Sequence, residues 1–200
     1  SWSSMGADCA DLNNDGLLDL FVADMAATSH YKSKVTMGDM GDRRWFLENA
    51  WPRQIMRNNL FLNTGTSRFM ETAFLCGLAG TDWTWAIKLA DLDNDSRVDV
   101  FITNGASRMI TDADISITPQ MLVGKTEWEL WKEQPTMKEV NLAYHNKGDL
   151  QFEQTAKPWG LDHEGMSYSA AYGDLDGDGD LDLVVANIDE PTRIYRNLDH

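Results

Sequence analysis

Cysteine, proline and histidine are all scarce: the 200 residues contain 2 Cys, 5 Pro and 4 His. Two cysteines exclude a dense disulfide framework and any Cys-based metal motif. Cys9 and Cys76 either pair in an oxidising compartment or stay as two small buried thiols. The histidines, His30, His145, His163 and His200, are scattered, and none stands with a Ser or Cys in a nucleophile–base motif. Each reads as a surface or turn residue, so no catalytic residue is named. There is no Gly-rich phosphate loop. No run of 18 apolar residues occurs, which excludes a membrane-spanning helix of the usual kind. Basic residues are outnumbered, 17 Lys+Arg against 32 Asp+Glu, for a net charge of −15. That balance argues against nucleic acid and against anionic membrane surfaces as partners. With no initiator Met and no signal peptide, the chain reads as a piece of a longer or processed protein.

What is abundant is apolar residues, at 42% with 8 Trp among them, and aspartate in a repeated pattern. Three nine-residue segments align without gaps: Asp11–Asp19, Asp91–Asp99 and Asp174–Asp182, spaced by 80 and 83 residues. Each leads into a short apolar run, at Leu20–Ala23, Val100–Thr103 and Leu183–Ala186. These runs are too short for helices and read as buried strands. Between the loops, Asn59–Gly65 with Phe69 matches Asn141–Gly148 with Phe152, and both read as hairpins.

One repeat is therefore strand, loop, strand, insertion, strand, turn, strand, and four antiparallel strands make a propeller blade. The expected fold is all-β, about two and three-quarter blades with two partly helical insertions. Blade 1 covers residues 1–82 with an insertion at 25–58. Blade 2 covers 83–165 with an insertion at 105–140, and an incomplete blade 3 covers 166–200. In the insertions, Arg43–Arg57 carries apolar residues at helical spacing, interrupted by Pro52. Thr118-Pro119 reads as a helix start, and Thr126 with Glu129 as a capping box. Their aromatic clusters are expected to pack on the propeller rim.

The loops themselves point to a hard cation. Ca²⁺ takes six to eight oxygens in a flexible shell. Side chains at loop positions 1, 3 and 5 converge when the backbone curls: Asp11, Asn13 and Asp15; Asp91, Asp93 and Asp95; Asp174, Asp176 and Asp178. Position 7 offers a backbone carbonyl, from Leu17, Arg97 or Asp180. Position 9 closes the loop with a carboxylate, Asp19, Asp99 or Asp182. Position 6 wants glycine for the turn; Gly16 and Gly179 fit, and Ser96 departs. An EF-hand would need Glu at position 12, where Val22, Ile102 and Val185 stand instead. No thiolate or imidazole is expected to sit near the loops, which speaks against zinc. The third loop carries the most charge and is expected to be the tightest of three Ca²⁺ sites. Asn94-Asp95-Ser96 matches a glycosylation sequon by chance, because it lies inside a loop.

These loops, the Asn-Leu-x-x-Asn hairpins and the Asp82-Trp83-Thr84-Trp85 approach to loop 2 resemble FG-GAP/VCBS repeats, which build integrin-α-like propellers. Phe21–Met25, Met56–Asn58 and Phe101–Gly105 resemble a bacterial secreted subfamily that often carries an ASPIC/UnbV-type module; no such module is read here. The resemblance implies a calcium-loaded propeller that is secreted or at the cell surface, binding an extracellular glycan or protein. Two other classes stay open: a filament subunit self-associating head-to-tail through open blade edges, and the propeller of a calcium-dependent polysaccharide-active enzyme.

Overall fold

The computed structural model describes residues 4–35, 49, 51, 55–109 and 119–198. The first loop joins β1 (Gly6–Ala10) to β2 (Asp19–Ala23). Next come the two-residue β3 (Met25–Ala26) and α1 (His30–Val35), then β4 (Asn59–Asn63) and β5 (Phe69–Glu71). Strands β1, β2, β4 and β5 are neighbours in that order, all antiparallel. Ala10 pairs with Asp19, so the loop closes a hairpin at the sheet's end.

The second repeat copies this plan. Loop 2 joins β6 (Asp82–Ala90) to β7 (Asp99–Asn104). The insertion holds a 3₁₀ turn (Pro119–Leu122), α2 (Glu127–Trp131) and β8 (Glu139–Val140). The chain returns as β9 (Leu142–Asn146) and β10 (Phe152–Gln154), giving the order β6-β7-β9-β10. After β11 (Glu164–Gly165), which pairs with β8, the third sheet is β12 (Ser167–Gly173), β13 (Asp182–Asn187) and β14 (Arg193–Tyr195). The fold is all-β, and its curled antiparallel sheets are partial β-propeller blades.

Period-two alternation distributes the core between the sheets. Val100 and Ile102 of β7 join Phe21, Leu60, Leu78 and Ile87 in one buried cluster. Phe101, between them in sequence, points the other way into a second cluster with Ala143, Leu161, Leu183 and Val185. Every residue of β7 is buried. That is why its centre, Val100-Phe101-Ile102, is a continuous apolar run and not an alternation. Burial of each such side chain stabilises by roughly 1.5–3 kcal/mol, and β7 contributes to both buried clusters.

The insertions behave differently from the blades. The capping box forms as read: Glu129 N–H donates to Thr126 Oγ1 at 3.3 Å, and Thr126 N–H to Glu129 Oε2 at 2.7 Å. Pro119 opens a 3₁₀ turn and not an α-helix. Thr118, Pro52 and the aromatic cluster at residues 45–47 lie outside the described residues. Trp51 and Trp128 are exposed rather than packed on the rim.

Two further features concern the first insertion and the cysteines. The first insertion is attached to the second blade: β3 pairs with β6, Met25 opposite Trp83 and Ala26 opposite Asp82. Thr28 and Lys32 reinforce the attachment through Asp82, with Lys32 Nζ also 2.6 Å from Glu139. Cys9 and Cys76 do not pair. Both are free thiols, and only Cys76 is buried.

Candidate metal sites

The three loops share one hydrogen-bond pattern, and it begins with the first aspartate. Asp11 accepts from the N–H groups of Asp15 and Gly16, at 3.1 and 2.7 Å. Asp91 accepts from Asp95 and Ser96 at 3.1 and 2.8 Å, and Asp174 from Asp178 and Gly179 at 3.1 Å each. The position-5 carboxylate in turn accepts from the N–H at position 7: Leu17, Arg97 and Asp180, at 2.9, 2.8 and 3.1 Å. Short acidic side chains that bond to nearby backbone N–H groups curl the chain without secondary structure.

The curl needs left-handed backbone at two positions. Position 6 has φ of +84° at Gly16, +68° at Ser96 and +98° at Gly179. Position 4 has φ of +59° at Asn14, +60° at Asn94 and +80° at Gly177. Asparagine and glycine are the residues that tolerate this region. Ser96 keeps the shape despite lacking that tolerance.

At position 9 the aspartate bonds to backbone N–H groups of its own loop and of a neighbouring segment. Asp19 is buried and uses both oxygens, accepting from Leu12 N–H at 2.9 Å and from Asn63 N–H at 2.8 Å. Asp99 does the same with Leu92 and Asn146, and Asp182 with Leu175 and Asn197. Burial is the first cause that pushes the Asp19 and Asp99 carboxyls up, Asp99 to about 6. The position-9 aspartates therefore staple loop to strand.

Positions 1, 3 and 5 converge. Asp91, Asp93 and Asp95 bring carboxylate oxygens within 4.8 Å of one another, as do Asp174, Asp176 and Asp178. In loop 1, Asn13 lies against Asp15, its Nδ2 2.9 Å from Asp15 Oδ2. Asp99 joins a cluster with Asp93, whereas Asp19 and Asp182 are in none of these groups. Asp93 Oδ1 is buried without a hydrogen-bond partner, and burial leads the causes that raise its carboxyl. An orphaned oxygen among crowded carboxylates is the place a divalent cation fits.

The model of the FG-GAP-like repeat matches residues 11–102 and 136–198, more than half of the chain. The chain belongs to the FG-GAP-like repeat family. No curated protein matches it.

The FG-GAP loops are also joined to one another. Asn146 Nδ2 donates to Leu12 O, and Asn197 Nδ2 to Leu92 O, so each later blade grips the previous loop. Asn14 Nδ2 reaches Ser96 O at 3.1 Å, and Asn94 Nδ2 reaches Asp180 Oδ1 at 2.7 Å. The side chain of Asp180, at position 7, is thus a buried inter-loop acceptor. Arg97 turns its guanidinium to Asp95 at 2.9 Å.

Two residues outside the loops enter them. Arg196 lies 2.5 Å from Asp176 and 3.2 Å from Asp178. A backbone N–H from Asp180 and then this guanidinium hold the Asp178 carboxyl below its usual range. The extra charge of loop 3 is therefore partly balanced from within. His145 is not a surface residue: its Nδ1 stands 3.1 Å from Asp93 and 3.2 Å from Asp99. An imidazole does neighbour a loop once the chain is folded. The sequence signal was its place directly before Asn146, as Arg196 stands before Asn197 and Leu62 before Asn63.

Proposed function

We propose that this FG-GAP chain is a calcium-stabilised binding or adhesion module that works outside the cell, with Ca²⁺ held by the Asp-rich loops. The observation that carries the reading is the triplicate curl that gathers oxygens from positions 1, 3 and 5. The donors are oxygens of short side chains, which suit a hard, flexibly coordinated cation. Among the described residues no helix is long and apolar enough to cross a membrane. A glycan or protein ligand would then meet a scaffold rigidified by its cations. Titration calorimetry of chelator-stripped protein tests the cation. About three Ca²⁺ per chain and a lower melting temperature in EGTA are expected. No heat of binding together with an unchanged melt would refute it.

A second reading, self-association, is favoured by Leu175. Its counterparts at loop position 2, Leu12 and Leu92, pack into the inter-sheet cores. Leu175 is 57% exposed, and Ile194 and Leu198 are exposed beside the same sheet. Another blade edge, offering an asparagine as Asn146 and Asn197 do, would cover this face head-to-tail. Light scattering in Ca²⁺ distinguishes a monomer from concentration-dependent growth.

A further inference from the structure

The residue just before the closing asparagine differs in kind between the repeats. Leu62 is buried and offers no donor. Arg196 offers only N–H donors and can never ligate a metal. His145 offers an imidazole nitrogen, and the fold delivers it into loop 2. We propose that loop 2 is a mixed nitrogen–oxygen site that takes a first-row transition ion of the Zn²⁺ type in preference to Ca²⁺, with His145, Asp93 and Asp99 as its ligands. The inference rests on the reading that these loops hold cations, and adds which cation one of them selects.

The geometry is specific. Donor atoms of Asp93, Asp99 and His145 all lie within 4.8 Å of one another, so one ion reaches all three. His145 Nδ1 is 3.1 Å from Asp93 Oδ2 and 3.2 Å from Asp99 Oδ1. Its side chain is only 15% exposed, and Asp99 beside it is fully buried. The ring packs edge-on against Trp159, centroids 5.8 Å apart, which fixes the direction in which Nδ1 points. The other nitrogen, Nε2, lies 4.0 Å from Asp95 Oδ2. Asp93 also keeps its second oxygen buried and unpartnered.

Donor type then decides the ion. Ca²⁺ is satisfied by oxygens, and a nitrogen in its shell is a poor exchange for one. Imidazole with carboxylates suits Zn²⁺ and its neighbours, whose affinities exceed those of the hard ions at such sites. Loops 1 and 3 of the same molecule serve as controls, because they have no nitrogen ligand at this position.

The experiment is a Zn²⁺ titration of the full, metal-stripped chain in excess Ca²⁺, read by calorimetry and by ¹⁵N NMR of the histidine rings. Wild type is compared with His145→Gln, which keeps an oxygen donor, and with His145→Leu, which copies Leu62; circular dichroism confirms folding. One Zn²⁺ per chain is expected to bind despite the Ca²⁺, with the His145 ring signals shifted. Both variants should lose Zn²⁺ affinity by about 10-fold or more while Ca²⁺ still binds loops 1 and 3. If one variant fails to fold, the other and the ring signals decide. Zn²⁺ affinity unchanged in a folded variant, or His145 signals that stay put, would overturn the assignment. So would Ca²⁺ displacing Zn²⁺ from wild type at equal concentration, which leaves His145 a mere counter-ion. Ca²⁺ failing to bind any loop, in wild type and variants alike, would instead bring down the broader cation reading.

Discussion

The side-chain amide of Asn146 donates to the carbonyl of Leu12 at 3.0 Å, across 134 residues of sequence and from one sheet to the next. The same amide donates to Val98 O at 3.0 Å, and Asn146 Oδ1 accepts from Gly148 N–H at 3.0 Å. One buried residue thus ties loop 1, loop 2 and a hairpin turn together. Removing it strands two carbonyls at the blade boundary, and stranded buried acceptors are costly. Asn146→Ala should destabilise the protein by about 2–3 kcal/mol, read as a lower urea midpoint.

Ser96 adopts φ of +68° at the position where the other two loops have glycine. Its carbonyl, not its side chain, receives Asn14. Ser96→Gly therefore relieves strain without losing that contact. A gain of about 1 kcal/mol in chemical denaturation is expected.

Gly105 follows β7 with φ of +110°, and a Cβ there would stand 2.3 Å from the carbonyl oxygen of Gly165. Backbone cannot retreat as a flexible side chain can. Gly105→Ala should cost about 3 kcal/mol and lower the thermal midpoint by several degrees.

The acidity of Asp99 gives a pH signature. Its carboxyl sits at about 6 in the folded protein against 3.8 in the open chain, chiefly because it is buried. A raised carboxyl favours the fold below the unfolded value, and that contribution is lost as pH climbs through about 6. Asp19 and Asp93 are displaced in the same direction. In chelator, Asp99 alone should make the fold about 1 kcal/mol less stable at pH 7 than at pH 5. Ca²⁺ should reverse the order, since it binds the ionised form. Melts at both pH values, with and without the ion, check this.

Arg196 acts as a tethered cation in loop 3. It is 60% exposed on its side chain, so its hold on Asp176 and Asp178 is modest and screened by salt. Replacing it with leucine, as at Leu62, should tighten Ca²⁺ at that loop by roughly threefold to tenfold at low salt. Calorimetry of Arg196→Leu against wild type measures it.

The loops and their strands were legible because their chemistry is local. Positions 1 to 9 bond to one another, and the apolar strand follows at once. The closing asparagines were not legible as a set. Their offsets from the aspartates they serve are 44, 47 and 15 residues, because insertions of different length intervene. His145 and Arg196 were hidden for the same reason: each is a neighbour of its loop only across β-sheet pairing. Strand β3 escaped because two residues carry no readable period. The left-handed role of Asn14 and Asn94 has one sequence signal, Gly177 at the same position of loop 3.

Strand β3 changes what counts as the smallest separable piece of the chain. By lending Met25–Ala26 to β6, the first repeat is clasped to the second, and Lys32 latches the clasp through Asp82 and Glu139. Excising either repeat alone would leave one partner's edge bare.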